Sequence, residues 1–174
     1  MLTYKKFFFI FILFFSLQNN SISDVPYFLD FKYILNQSEA GKKAQTFLQN
    51  KLKNGVKNLK TKEKAIQEEE KKTIQQKKLI SVEEYKKKVN SLRSKVVSLQ
   101  KERNKLLDDV AKQRLQAKNE IMKNLNPIIK TYMQENKIRM VLDKKSLLLA
   151  DENLDITKNI IELLNKKIKS IKLK

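Results

Sequence analysis

The side chains of this chain that could do chemistry are ionisable, and their types narrow the field at once. The 174-residue sequence has no histidine, no cysteine and no glycine-rich phosphate loop. These absences argue against an enzyme, and no cofactor is expected. Adjacent acids such as Asp108-Asp109 or Glu68-Glu69-Glu70 are the only conceivable metal ligands. Consecutive helix residues diverge by about 100 degrees, so they read as solvated helix faces and no metal site is assigned. The chemistry that remains is binding. Lys77 and Lys78 stand beside Leu79, Ile80, Val82 and Tyr85, a short apolar patch among cations suited to weak, multiple contacts with anionic or apolar partners. These six are the candidate binding residues.

The stretch that must position them runs from Val56 to Asn126 without a glycine or proline. In its second half Val82, Tyr85, Val89, Leu92, Val96, Leu99, Arg103, Leu106 and Val110 alternate at spacings of three and four, and only Arg103 is polar. That is a coiled-coil seam. Ser81-Val82-Glu83-Glu84 before it matches a capping box and predicts a helix start at Ser81. If the chain reverses there, residues level on two antiparallel arms have numbers with a constant sum. Phe47 with Leu115, Leu52 with Val110, Val56 with Leu106 and Ile66 with Val96 all sum to 162, centred on Ser81. The spacing predicts a helical hairpin with its tip near 79–82. The alternative is one uninterrupted helix of a parallel coiled coil, against which the capping box argues.

Composition sets the context. Half of the 14 aromatics (Tyr4, Phe7, Phe8, Phe9, Phe11, Phe14 and Phe15) lie in the first fifteen residues, behind which little remains for a large globular core. Lys5-Lys6, the apolar run Phe7 to Leu17 and the small residues Ser21 and Ser23 make residues 1–23 a signal peptide by layout, with an uncleaved anchor as the competing reading. The mature chain is expected on the far side of a membrane. Without cysteine the exported fold must rely on helix pairing, a small core or oligomerisation. The net charge of +19 falls to +17 when Lys5 and Lys6 are removed, and residues 51–114 carry 20 basic against nine acidic side chains. Such a field favours polyanions or acidic proteins, although a lysine, asparagine and isoleucine excess also follows from an AT-rich genome.

Along the rest of the chain, Val25 to Phe31 reads as a buried strand and Ser38 as the cap of the descending helix, within which Gly41 and Gly55 fall. Pro127 is expected to kink or restart the ascending helix, and Asn136 to end it. From Ile138 the period changes: Ile138, Met140 and Leu142 alternate, Asp143-Lys144-Lys145 turns, and Leu147 to Ala150 is a second buried run, together a β-hairpin. Asp155 or Thr157 caps a last helix with the stripe Ile160, Ile161, Leu164 and Ile168. The expected class is α+β, mainly α: a long antiparallel coiled-coil hairpin (residues 38–136) projecting from a small β-rich oligomerisation body (residues 24–37 and 137–174). Val25, Phe28, Leu29, Phe31, Met140, Leu142 and Leu148 are its expected body residues.

This order of parts resembles the Skp/OmpH family of periplasmic chaperones. The matching strings are Tyr27 to Lys43, with Ser38-Glu39-Ala40-Gly41-Lys42; Ile80-Ser81-Val82-Glu83-Glu84-Tyr85; and Ile138-Arg139-Met140-Val141-Leu142-Asp143-Lys144, followed by Leu154-Asp155-Ile156-Thr157. The resemblance implies a homotrimer whose bodies assemble together while three hairpins surround a cavity that holds unfolded outer-membrane proteins without ATP. It also suggests lipopolysaccharide or an anionic membrane surface as a partner, with no motif carried over to particular residues. The other function class is an extracytoplasmic structural coiled coil or scaffold binding envelope polyanions. Nucleic acid is not an expected partner, because export removes the chain from it.

Overall fold

The computed structural model describes residues 25–173, so the expected signal peptide lies outside the described residues. The elements in order are β1 (Tyr27–Leu29), α1 (Phe31–Gln37), α2 (Glu39–Gln75), α3 (Val82–Glu135), β2 (Val141–Asp143) and α4 (Thr157–Lys167). Helices α2 and α3 form an antiparallel hairpin. At about 1.5 Å per residue, its 37-residue and 54-residue arms are roughly 55 and 80 Å long.

Local chemistry sets the helix ends. Ser38 starts α2, its Oγ accepting from the Gly41 amide at 3.2 Å. Any side chain at Gly41 would overlap the Leu35 carbonyl oxygen, so glycine is what lets α1 abut α2. At the tip a short 3-10 turn (Gln76–Lys78) leads to Ser81, where the capping box is complete. Ser81 Oγ accepts from the Glu84 amide, and Glu84 Oε2 accepts from the Ser81 amide, both at 3.2 Å. Asn136 ends α3. Lys137 follows in the left-handed region (φ 56°), and the Ile138 amide donates to the Met133 carbonyl at 2.8 Å, the six-to-one closure of a Schellman motif.

Strands from both ends of the chain meet as expected, but differently paired. β1 and β2 run parallel, with Tyr27 opposite Val141, Phe28 opposite Leu142 and Leu29 opposite Asp143. An isolated parallel bridge joins Phe28 to Asp155 on the other side of β1. Under the sheet, Leu29, Ile34, Ala40, Ile121, Leu125, Ile128, Ile156, Ile160 and Leu164 form the core. Ile34, Leu125, Ile160 and Leu164 are fully buried. The root of the hairpin is therefore part of the body's core.

Several expectations are corrected. The strand stops at Leu29, because Asp30 Oδ1 accepts from the Tyr33 amide at 2.7 Å and starts α1, placing Phe31 in a helix. No β-hairpin follows Ile138. Asp143 Oδ1 accepts from the Lys145 amide and turns the chain into a 3-10 segment; β2 finds its partner across the α1–α3 crossover, which makes the pairing parallel. Leu147 to Ala150 form no strand, and Leu148 and Leu149 are exposed in the protomer rather than buried. Helix α3 runs through Pro127 without restarting. Pro127 and Lys123, whose carbonyl loses its donor, both lie on the exposed face, where water can replace the missing bond. The cap position of α4 is Ile156, while the expected Asp155 side chain accepts from the Thr157 amide at 2.9 Å.

The seam on α3 follows the expected line, with Leu92 and Val110 buried and Tyr85, Val89, Leu99 and Leu106 half-buried, while the pairing with α2 departs from it in part. Ala44, Leu48, Leu59, Leu92, Val110 and Ala117 are buried, whereas Phe47, Val56, Val96 and Leu115 are exposed. Two helices bury one narrow stripe each, and α2 turns its smaller side chains toward α3.

Candidate functional site: the basic hairpin

The hairpin engages its acids internally and leaves its lysines outside. Across the arms Lys62 meets Glu102 at 2.6 Å, Lys95 meets Glu69 at 2.5 Å and Arg103 meets Glu63 at 3.8 Å. Lys88 Nζ donates to Gln76 Oε1 at 2.7 Å. The two ion pairs nearest the centre of the arms sum to 164 and the Arg103 pair to 166, slightly above 162 because long side chains lean along the helices. Within α3, Asp109 takes Lys105 and Asp108 takes Lys112. The hydrogen bond to Asp108 raises the Lys112 pKa above its ordinary value. Asp108 and Asp109 are thus ion-pair partners, and among the described residues no group of three or more possible metal ligands occurs. With Glu84 in the capping box, six of the nine acids between Lys51 and Arg114 have such a partner. Each exposed pair contributes only a few tenths of a kcal/mol. Their larger consequence is the excess of positive charge facing solvent.

At the tip, Leu79 is 82% and Val82 77% exposed; Ile80 and Tyr85 are half-buried and Lys77 and Lys78 exposed. Lys77 Nζ lies 5.8 Å from the centroid of the Tyr85 ring, within cation–π range. The structure therefore gathers all six candidate residues around one turn.

Body residues divide in two. Phe28 and Leu29 are buried and Phe31 and Leu142 half-buried, whereas Val25, Met140 and Leu148 are exposed in the protomer. Lys144 sits 5.8 Å above the Phe28 ring and 3.6 Å from Asp155. Beside them, Phe28, Tyr33 and Leu147 to Ala150 line a shallow cavity of about 480 Å³.

Sequence reasoning missed a groove of about 630 Å³ between the arms near the body. Its signal was present as the small residues Gly41, Ala44, Ala111 and Ala117, which a search for large apolar residues passes over. Among the described residues, no helix is long and apolar enough to cross a membrane.

Comparison with known proteins gives the site its context. The sequence model of the family described as outer membrane protein (OmpH-like) matches residues 27–164. No curated protein matches the sequence. Among solved structures, a candidate outer membrane chaperone (OmpH-like) from Caulobacter crescentus CB15 superposes with a TM-score of 0.80. The two are 20% identical over 86% of this chain and 89% of that one, a likeness of fold. The family model spans most of the chain, the fold agrees, and the chain belongs to the OmpH-like outer membrane protein family.

Proposed function

We propose that this chain is exported to the periplasm and acts there, as a homotrimer, as an ATP-independent holdase for unfolded outer-membrane proteins. The observation that carries the reading is the hairpin's partition: acids engaged by the arms themselves, lysines and apolar residues such as Leu79, Val82, Val96 and Leu115 left exposed. A basic surface draws anionic client segments from a distance, and dispersed apolar contacts retain them weakly enough for release without an energy source. Lys77, Lys78, Leu79, Ile80, Val82 and Tyr85 make the first contact. Trimerisation is supported by Val25, Met140, Leu148 and Leu149, apolar side chains exposed on a body that is small for independent stability.

The test mixes the purified chain from Asp24 onward with a urea-unfolded outer-membrane β-barrel, with and without ATP. Suppressed aggregation and a defined complex, both indifferent to ATP, are expected. An envelope scaffold would give neither. Light scattering of the same sample should return three copies per particle, and a charged residue in place of Leu142 should dissociate them.

A further inference from the structure

The groove between the arms near the body has a composition that the tip lacks. Its floor is aliphatic: Leu48, Leu52, Val110 and Ile121, opened by Ala44 and Ala117. Its two lips differ. On α3, Arg114 and Lys118 stand one turn apart, with exposed Leu115 between them. On α2 the lip carries Gln45 and Gln49, also one turn apart, and Asn36 from α1. Gln45 Nε2 donates to Asn36 Oδ1 at 2.6 Å, which holds these carboxamides at the edge. None of the residues lining the groove is acidic.

We infer that this groove seats an extended polypeptide segment of the client carrying apolar side chains and an acidic residue. The ligand class rests on the holdase reading above; the place and the specificity do not. Carboxamides offer both donors and acceptors, as an extended backbone requires. Two cations on the opposite lip complement a carboxylate, and the floor takes alternate side chains, which an extended chain projects on one side. A lipid chain would use the floor and the cations but leave the carboxamide lip without a partner. The tip, a turn with exposed apolar residues, steers and touches; the groove retains.

The chain contains no tryptophan, so a tryptophan in the ligand reports alone. The probe is a short synthetic peptide alternating valine and threonine around one Trp and one Asp, compared with the same peptide carrying Lys for Asp. Blue-shifted emission on titration with the protein is expected, the Asp peptide binding about two- to fivefold more tightly, as for one exposed ion pair. Arg114→Gln with Lys118→Gln should erase the difference between the peptides. Ala111→Phe, at an exposed position on the groove, should abolish binding of both, while Val97→Ser, exposed on α3 outside the groove, should leave both intact. Hydrogen exchange on the unaltered protein supplies a check free of folding defects: the Asp peptide should protect amides of residues 44–52 and 110–118.

The inference is overturned if neither peptide binds, if binding survives Ala111→Phe, or if protection maps to the tip. It is equally overturned if dodecyl phosphate below its micelle concentration protects those amides and the peptides do not, which makes the groove a lipid slot. A groove covered by a second copy would show as lost peptide binding with rising protein concentration, again against it. Should the peptides bind as expected while an unfolded barrel still aggregates, the holdase reading fails and the groove assignment stands.

Discussion

The root and the outer half of the hairpin are the same two helices held by different forces. At the root, Leu125 of α3 packs with Ile34 of α1 and with Ile160 and Leu164 of α4, all at 0% exposure. Beyond Gly55, buried side chains on the arms thin to Leu59, Thr73 and Leu92, and the cross-links become Lys62–Glu102, Arg103–Glu63, Lys95–Glu69 and Lys88–Gln76. Apolar burial contributes about 25 cal/mol per Å², whereas an exposed ion pair contributes a few tenths of a kcal/mol. One end is thus fixed and the other is easily deformed. On the holdase reading proposed above, that gradient lets the root keep the body intact while the rest adapts to clients of different bulk.

The largest expected effect breaks the strong end. Leu125→Ala should cost about 3 kcal/mol, transfer loss plus cavity, and lower the melting temperature of the whole protein. Leu92→Ala, on the outer arm, should cost less than half of that, because Leu92 lies outside the core cluster that surrounds Leu125. Equal losses in a denaturant titration would mean that the arm is packed as firmly as the body, and the comparison would fail.

A smaller effect sharpens the weak end. Ser81→Ala removes the hydroxyl that accepts from the Glu84 amide and donates to Glu84 Oε2, leaves the bond from the backbone amide of residue 81 to Glu84, and should cost about 1 kcal/mol, seen as faster amide exchange over residues 76–90 without change in the core. Raising salt to about 0.5 M, where the screening length is roughly 4 Å, should likewise speed exchange over residues 60–104 and leave residues 121–128 untouched. Exchange that rises uniformly would show the polar ties to be ornament on a seam stable without them.

How much of this was legible in the sequence depends on the range of the interaction. Ser38, Ser81 and Asn136 are read by the backbone within four residues, and each ends its helix where the sequence places it. The antiparallel hairpin was legible because a three-four repeat on each side of a cap allows few arrangements. What was hidden is set by distant partners. Ile138 to Ala150 alternates like a hairpin, yet β2 pairs with β1 more than a hundred residues away, and nothing local distinguishes the two. On α2 the departure is a packing result: Phe47 looks like a seam residue by spacing and size, but Ala44 and Leu48 take the interface and leave it exposed. The groove escaped for the same reason, being defined by small residues rather than by the large ones that periodicity counts.

The smallest expected effect concerns pH, and both ends of the comparison contribute. Glu39, at the root, accepts a hydrogen bond from Lys169 at 2.8 Å, which holds its carboxyl below the ordinary glutamate value. A depressed pKa stabilises the fold above the unfolded value, and that contribution is lost as pH falls through the folded one. Lys112, on the arm, is raised by Asp108; its contribution is full below the unfolded lysine value and is lost as pH rises through the folded one. Both groups are exposed, so each loss is slight. Between these windows the chain has no histidine to change charge. Melting temperature should therefore be level from about pH 5 to pH 9, where acids and lysines keep their charges, with shallow declines outside. The acid decline should disappear in Lys169→Gln and the alkaline one shrink in Asp108→Asn. A step near neutrality would point instead to a polar layer between the copies of the proposed homotrimer.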